Sequence, residues 1–255
     1  MRRALVLVCV LALARAGAAS ELGCPSRVVV PDATATFYDP IGGNACGLPI
    51  APGEFIAALA EVDWDGSAHC GRCARVAGPL GAVTVRITDY CPSLGNGLCV
   101  AGHLDLSRSA FLEIAAEEQG YVGVAWETVA CEVEGPLRIY FDPSSNPWYG
   151  RIQIRNHRYA IASVEARLSG VWTDIPRTAY NAFELFPPGE PIASPLELRV
   201  TDVHGAVVTA TVPFTTGVEH DADAQLAPCP EPDLALGATG ALGALAAVSL
   251  LRPRR

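Results

Sequence analysis

Seven cysteines lie between Cys24 and Cys131, and none lies in the strand-rich stretch from Leu137 to Thr215. This asymmetry constrains the chain more than any other feature, because crosslinks can staple the first half whereas the second must hold by packing alone. Whether the cysteines are crosslinks depends on the compartment. Met1, Arg2 and Arg3 precede an apolar run from Ala4 to Ala14, and small residues follow through Ala18, Ala19 and Ser20. That is the charged, apolar and cleavage-site order of a secretory signal. Residues 1–20 are therefore expected to be removed on export, taking Cys9 with them, and the remaining cysteines are read first as disulfides. A lipid-modified Cys24 is opposed by Glu21, which stands where that modification wants an aliphatic residue. Cys70 and Cys73 form a Cys-Gly-Arg-Cys, the spacing of a thioredoxin-type redox pair or of half a zinc site. No βαβ pattern surrounds them and no second Cys-x-x-Cys follows, so bridges are the preferred reading.

At 255 residues the chain suits two domains of roughly 100 residues plus processing segments. The 18-residue apolar stretch Leu234 to Leu251 is followed by Arg252, Pro253, Arg254 and Arg255. A helix of that length rises about 27 Å and can just span a bilayer, with the arginines on the cytoplasmic side. Pro230, Glu231 and Pro232 just before it resemble the box of bacterial C-terminal sorting tails. Residues 234–255 are thus expected to be a transmembrane or sorting tail, and the protein to be secreted or anchored at the cell surface. All 18 basic residues are Arg. Without both tails 12 remain against 27 acidic residues, a net charge of −15, which disfavours nucleic acid and anionic membrane as partners.

From 27 to 134 the pattern is short strands with one or two helices. Residues 83–90 alternate Val83, Val85 and Ile87 against Thr84, Arg86 and Thr88, a half-buried strand, and residues 122–133 form a second such run. A helix is expected after Asp105, with Ser107 as N-cap and Phe111, Ile114 and Ala115 on one face. Another is expected from Glu54 to Val62. Glu134, Gly135 and Pro136 mark a joint. Beyond it, over 136–215, Leu137, Ile139 and Phe141 alternate, as do Ile152 and Ile154, then Leu196, Leu198 and Val200, then Val207, Thr209 and Thr211. Asp202 to Gly205 supplies a hairpin turn. Six or seven short strands in about 80 residues argue a β-sandwich. Residues 216–233 read as an acidic linker.

ATFYD at 35–39, NACG at 44–47, VRITDYCP at 85–92 and GHLDLSRSAFLEIA at 102–115 resemble the N-terminal domain of bacterial expansins. SSNPWYGRIQIRNHRYA at 144–160, VWTDIPRTAYNAF at 171–183 and LELRVTDVHGAVV at 196–208 resemble their cellulose-binding C-terminal domain. The match is collinear over residues 33–214. It implies a mainly β protein, a six-stranded double-psi β-barrel followed by an immunoglobulin-like β-sandwich, packed end to end with one continuous polysaccharide-binding face. It further implies a monomer that loosens cellulosic plant cell wall without hydrolysis and needs no metal or organic cofactor.

By the same resemblance Asp105 matches the acid of the barrel cleft, where partial burial would raise a carboxyl toward proton donation; its alternative is a helix-start carboxylate. Asp89 matches a second carboxylate, and Thr36 and Tyr38 the cleft's opposite wall. Expansins usually place an aromatic residue two positions after that aspartate. Here Cys91 stands there and Tyr90 one place earlier, so Tyr90 is a candidate sugar contact that could turn to the other strand face. His103 is either a sugar ligand or a hydrogen-bonded structural histidine. Trp148, Tyr149 and Tyr180 match a strip of flat rings that suits the apolar face of a glucan. Adjacent strand positions face opposite ways, so showing both Trp148 and Tyr149 needs a loop after Asn146 and Pro147; otherwise they are core. Trp64, Trp126 and Trp172 are expected in the core.

The cysteine spacing resembles that of plant expansins, which implies bridges Cys46–Cys70 and Cys73–Cys131. Cys91 and Cys99 are then left flanking a Gly-rich loop, and a bridge there would hold Asp89 close to Asp105; plant expansins place their third bridge elsewhere. Cys24 is either free or joined to Cys229. Two other activities use the barrel type. A family 45 glycoside hydrolase needs a second carboxylate, for which Asp39 is the candidate, although it falls one residue out of strand register with that family's base. A peptidoglycan-cleaving transglycosylase lacks an aromatic-strip sandwich. The third alternative is a pure carbohydrate-binding surface protein.

Overall fold

The computed structural model describes residues 28–95 and 97–229. The expected signal, Cys24 and the C-terminal tail lie outside them. Strands β1 (Val29–Tyr38), β2 (Ile56–Ala60), β3 (Cys73–Ala77), β4 (Ala82–Cys91), β5 (Leu104–Ser107) and β6 (Val122–Val129) close into a barrel in the order β1-β5-β2-β4-β3-β6. Two of its pairings, β1 with β5 and β2 with β4, are parallel and the rest antiparallel. Closure removes every sheet edge, and the interior is filled by small and branched side chains such as Ala35, Ala57, Val76, Leu104 and Leu106. Phe111, on the short helix α1 (Arg108–Leu112), is fully buried in the same core beside Phe37.

Two helix expectations change. The apolar run over Glu54–Val62 is a strand, β2, with all five residues buried, followed by a 3-10 turn at Glu61–Asp63. A short run that is apolar on both faces fits a strand with neighbours on each side as well as a helix, and β2 is held between β5 and β4. The second helix exists but is one turn long. Ser107 sits at its head without capping it, because its Oγ accepts a bond from Ile56 N instead.

The second body packs two four-stranded sheets. One contains β9 (Ile161–Leu168), β10 (Val171–Asp174), β12 (Leu196–Asp202) and β13 (Val207–Val212), the other β7 (Arg138–Phe141), β8 (Gly150–Arg155), β11 (Phe183–Leu185) and β14 (Glu219–Asp221). Strict alternation along β12 buries Leu196, Leu198 and Val200 in one core with Leu137 and with Ile139 and Phe141 of the opposite sheet, while buried Asp202 accepts from His204 N and Ala206 N of its own turn. The stretch expected as a linker supplies β14, which pairs with β7, and buries Ala222 and Leu226 in this core. The sandwich therefore extends past residue 216. Trp64 and Trp126 lie in the barrel core as expected. Trp172 does not: it is half-exposed on β10, beneath the guanidinium groups of Arg199 and Arg167. Among the described residues no helix is long and apolar enough to cross a membrane.

Cys46 pairs with Cys70, Cys73 with Cys131 and Cys91 with Cys99, as the resemblance and the remaining pair implied. The redox and zinc readings of Cys70 and Cys73 are overturned, since each is bonded to a distant partner. Among the described residues no cluster of His, Cys, Asp and Glu fits a metal. Cys73–Cys131 closes 58 residues, for which chain entropy predicts about 4 kcal/mol of stabilisation.

Candidate functional site

Strand register assembles the barrel side of the site. On β1, Ala33, Ala35 and Phe37 join the core, so Thr34, Thr36 and Tyr38 face outward by alternation. Thr36 lies opposite Asp105, Asp105 opposite Ala58, and Ala58 opposite Asp89. The result is a row across four adjacent strands, with a small residue between two carboxylates. One irregularity makes the row possible. Between Ala57 and Ala58 the β2–β4 register shifts, because β4 carries an extra residue, Thr88. Ile87, two positions before Asp89, points into the core, and without the bulge Asp89 would follow it there. The bulge turns Asp89 out beside Asp105. It also turns Tyr90 the other way, onto the ring of Trp64 with centroids 5.4 Å apart. Tyr90, a candidate sugar contact from sequence, therefore stands on the opposite face from Asp89.

Asp105 is half-buried, and burial pushes its carboxyl above the ordinary range while a bond from Thr36 Oγ1 to Oδ1 (2.8 Å) partly opposes this. His103, expected as a possible sugar ligand, has no exposed surface. Its Nδ1 meets Thr34 Oγ1 at 2.8 Å and its Nε2 meets Thr36 Oγ1 at 3.0 Å. Since Thr36 donates to Asp105, Nε2–H donates to Thr36 and Thr34 donates to Nδ1. His103 is thus a structural histidine, kept neutral by burial, that orients the hydroxyl holding Asp105. Tyr38 completes this wall. Burial first, then the charges of Asp89 and Asp105, push its phenol up, with Thr88 opposing. Its hydroxyl and that of Thr88 are buried without well-formed hydrogen bonds. Asp89 Oδ1 accepts from Ala45 N (3.0 Å) and Tyr90 N (2.9 Å), which fixes the loop after β1 against β4. Asp39 accepts from Arg108 Nε and Nη2, at 2.8 Å each, while Nη1 of the same guanidinium bonds Glu117, and the bonds from Arg108 lower the Asp39 carboxyl.

The sandwich contributes the rings. Asn146 and Tyr149 exchange backbone bonds of 2.8 and 3.0 Å across Pro147 and Trp148, and Asn146 Oδ1 accepts from Trp148 N. Proline presets the dihedral such a turn needs, and an Asx bond closes it. The turn lifts Trp148 into solvent, 57% exposed. Tyr149 then starts the outward face of β8 that continues through Arg151 and Gln153. Tyr180 is 43% exposed, with the Arg151 guanidinium over its ring at 4.6 Å. Both phenols donate to one oxygen, Glu184 Oε1, Tyr149 at 2.8 Å and Tyr180 at 2.7 Å. Sequence reasoning missed Glu184 and Arg151. Their signal was the pairing of β11 with β8, which sets them opposite each other, and that long-range register is not visible in the chain.

A loop joins the two halves. Cys46 O accepts from Gln153 Nε2 (2.9 Å) and from Asn181 Nδ2 (3.2 Å), the first on the β8 face that carries Tyr149, the second next to Tyr180. Cys46 follows Ala45, the residue bonded to Asp89, and its own N–H donates to Thr88 O. Buried Ser67 adds a bond to Thr178 O and accepts one from Asn181 N. Carboxylate row and ring strip are thus tied through two successive residues, Ala45 and Cys46.

This arrangement defines a class, a double-psi barrel fused to a β-sandwich with an aromatic outer face, and the comparisons agree. The family described as lytic transglycolase, a double-psi β-barrel type, matches residues 33–126. Expansin-like protein 5 of Dictyostelium discoideum is 31% identical over 202 residues, covering 74% of this chain and 82% of the relative. Expansin-YoaJ of Bacillus subtilis (strain 168) is 31% identical over 176 residues, 68% of this chain and 72% of the relative. Crystal structures of Clavibacter michiganensis expansin, without ligand and as a variant in complex with cellohexaose, each superpose with a TM-score of 0.70 at 26% identity, over 79% of this chain and 99% of theirs. The chain belongs to the expansin family.

Proposed function

We propose that the protein is exported, adsorbs to cellulose and related plant cell-wall glucans through Trp148, Tyr149 and Tyr180, and loosens the wall at Asp105 without hydrolysis. The observation that carries this is the tie through Cys46, which supports a single glycan running from the rings to the carboxylate row. The similar Clavibacter protein in complex with cellohexaose supports the ligand class. The disulfides among the described residues support an oxidising compartment. Thr36 and Tyr38 form the wall facing Asp105 in this reading, and Asp89 anchors the loop between the two halves. Tyr90 and His103 are not among the residues that touch sugar.

The hydrolytic alternative has two candidate bases. Asp39 is committed to Arg108, and a carboxylate lowered by an ion pair is a poor base. Asp89 lies two strand spacings from Asp105, about 9.6 Å between backbones and at the upper edge of the span of an inverting pair, but one of its oxygens already holds two backbone N–H groups. The test is a wall-creep assay beside a reducing-sugar assay on the same sample. Creep without sugar release is expected; release that scales with creep would assign the protein to the hydrolases.

Trp148→Ala and Tyr180→Ala should each weaken adsorption to cellulose about fivefold, the value of roughly 1 kcal/mol for a ring stacked on a flat ring. Neither should unfold the protein, since both rings are exposed. Unchanged isotherms in both variants would place binding elsewhere.

A further inference from the structure

Phe186 is a large apolar side chain left 67% exposed at the end of β11. Continuing the β11–β8 register, in which Leu185 faces Gly150, sets Phe186 opposite Tyr149, and their rings lie 5.2 Å apart. By alternation Glu184 and Phe186 share the outward face, while Phe183 and Leu185 point into the core. Tyr149 thus lies against the exposed Phe186 ring and shares Glu184 with Tyr180, and it directly follows the exposed Trp148 in the chain. We propose that Phe186 is a fourth ring of the glucan platform and that Glu184 is the positioning residue that holds the platform's two tyrosines in place. This rests on the reading of the sandwich as the cellulose-binding half.

The argument for Glu184 is geometric. A phenol ring on a strand surface can swing about two torsions, and freezing them on binding costs affinity. One oxygen that accepts from both hydroxyls ties the two rings to each other and to β11 before any ligand arrives. The tether is also chemically stable: hydrogen bonds from Tyr180 and Tyr149 hold the Glu184 carboxyl below its usual range, so it stays an acceptor. The tyrosine hydroxyls are then spent on the protein, which leaves the ring faces as what the platform offers. An unsubstituted β-glucan with flat apolar faces is the ligand class that fits such a surface, and a charged or heavily branched polysaccharide is not.

Adsorption isotherms of the full exported protein on microcrystalline cellulose test both parts, with Trp148→Ala as reference. Phe186→Ala is expected to weaken adsorption about fivefold, as loss of one stacked ring should, and Phe186→Tyr to restore it. Glu184→Ala should weaken it at least as much, whereas Glu184→Gln should stay within about twofold, because an amide oxygen also has two lone pairs for the two phenols. Full adsorption by Phe186→Ala alongside a weakened Trp148→Ala overturns the fourth ring. Equal losses in Glu184→Gln and Glu184→Ala, or none in either, overturn the tether. If the parent protein itself does not adsorb, the cellulose reading fails and this inference with it. Melting temperatures equal to the parent's confirm that each variant is folded.

Discussion

Asp105→Asn is expected to abolish wall creep while leaving cellulose adsorption within about twofold of the parent, a change under ~0.5 kcal/mol. The substitution is nearly isosteric. An asparagine can still take the hydrogen bond from Thr36 through its Oδ1, so the His103–Thr36 arrangement and the fold survive. What is lost is a group that can hold a proton and release it. Burial already biases Asp105 toward the protonated form, and a protonated carboxyl donates to a glycan oxygen where an ionised one repels it. The sign of the pH effect follows: a carboxyl raised above its ordinary value gains its proton at a higher pH than a free aspartate. Creep should therefore rise as pH falls through that raised value, and Asp105→Asn should be flat across the same range. Creep measured from pH 7 down to 4, with adsorption isotherms at both ends, checks this. A mutant that creeps like the parent removes Asp105 from the mechanism. Loss of adsorption together with creep would instead make it a binding residue.

How much of this was legible in the sequence depends on whether the information is local. The sandwich core was, because Leu196, Leu198 and Val200 alternate in plain view. The turn that exposes Trp148 was also legible from Asn146 and Pro147. Three features were not. The run at Ile56–Ala60 carries no period, and only its two neighbouring strands decide that it is extended. Glu219–Asp221 reads as polar linker because an edge strand facing solvent shows no apolar alternation of its own. The bulge at Thr88 left no local mark, yet it decides that Asp89 joins Asp105 and that Tyr90 leaves the site. Register is a property of two strands at once, so a one-residue shift that exchanges the faces of Asp89 and Tyr90 cannot be read from either strand alone.

Gly71→Ala is expected to cost about 2–4 kcal/mol, because an added Cβ would meet its neighbours more closely there than at any other glycine among the described residues. Gly71 holds φ at +73°, and a Cβ there would meet His157 Cε1 at 2.4 Å and Nε2 at 2.6 Å. His157 belongs to the sandwich and Gly71 to the barrel, so the clash falls on the joint between the two bodies. The imidazole cannot simply retreat, because it is buried and its Nδ1 bonds Tyr159 O at 2.7 Å. A drop in melting temperature of about 5–12 °C should follow for a protein of this size. His157→Ala in the Gly71→Ala background should return part of the loss, the steric share, while the positive φ keeps its cost of about 1 kcal/mol. The same histidine makes the joint sensitive to acid. Burial lowers it from the ordinary 6.5 to about 4, so the unfolded chain takes up this proton first as pH falls. Its contribution is complete above about pH 6.5 and is lost progressively toward pH 4, up to about 3 kcal/mol. Thermal melts of parent and His157→Gln across that window decide the matter: the parent should lose stability more steeply than the variant, and parallel slopes would show that His157 does not govern the joint.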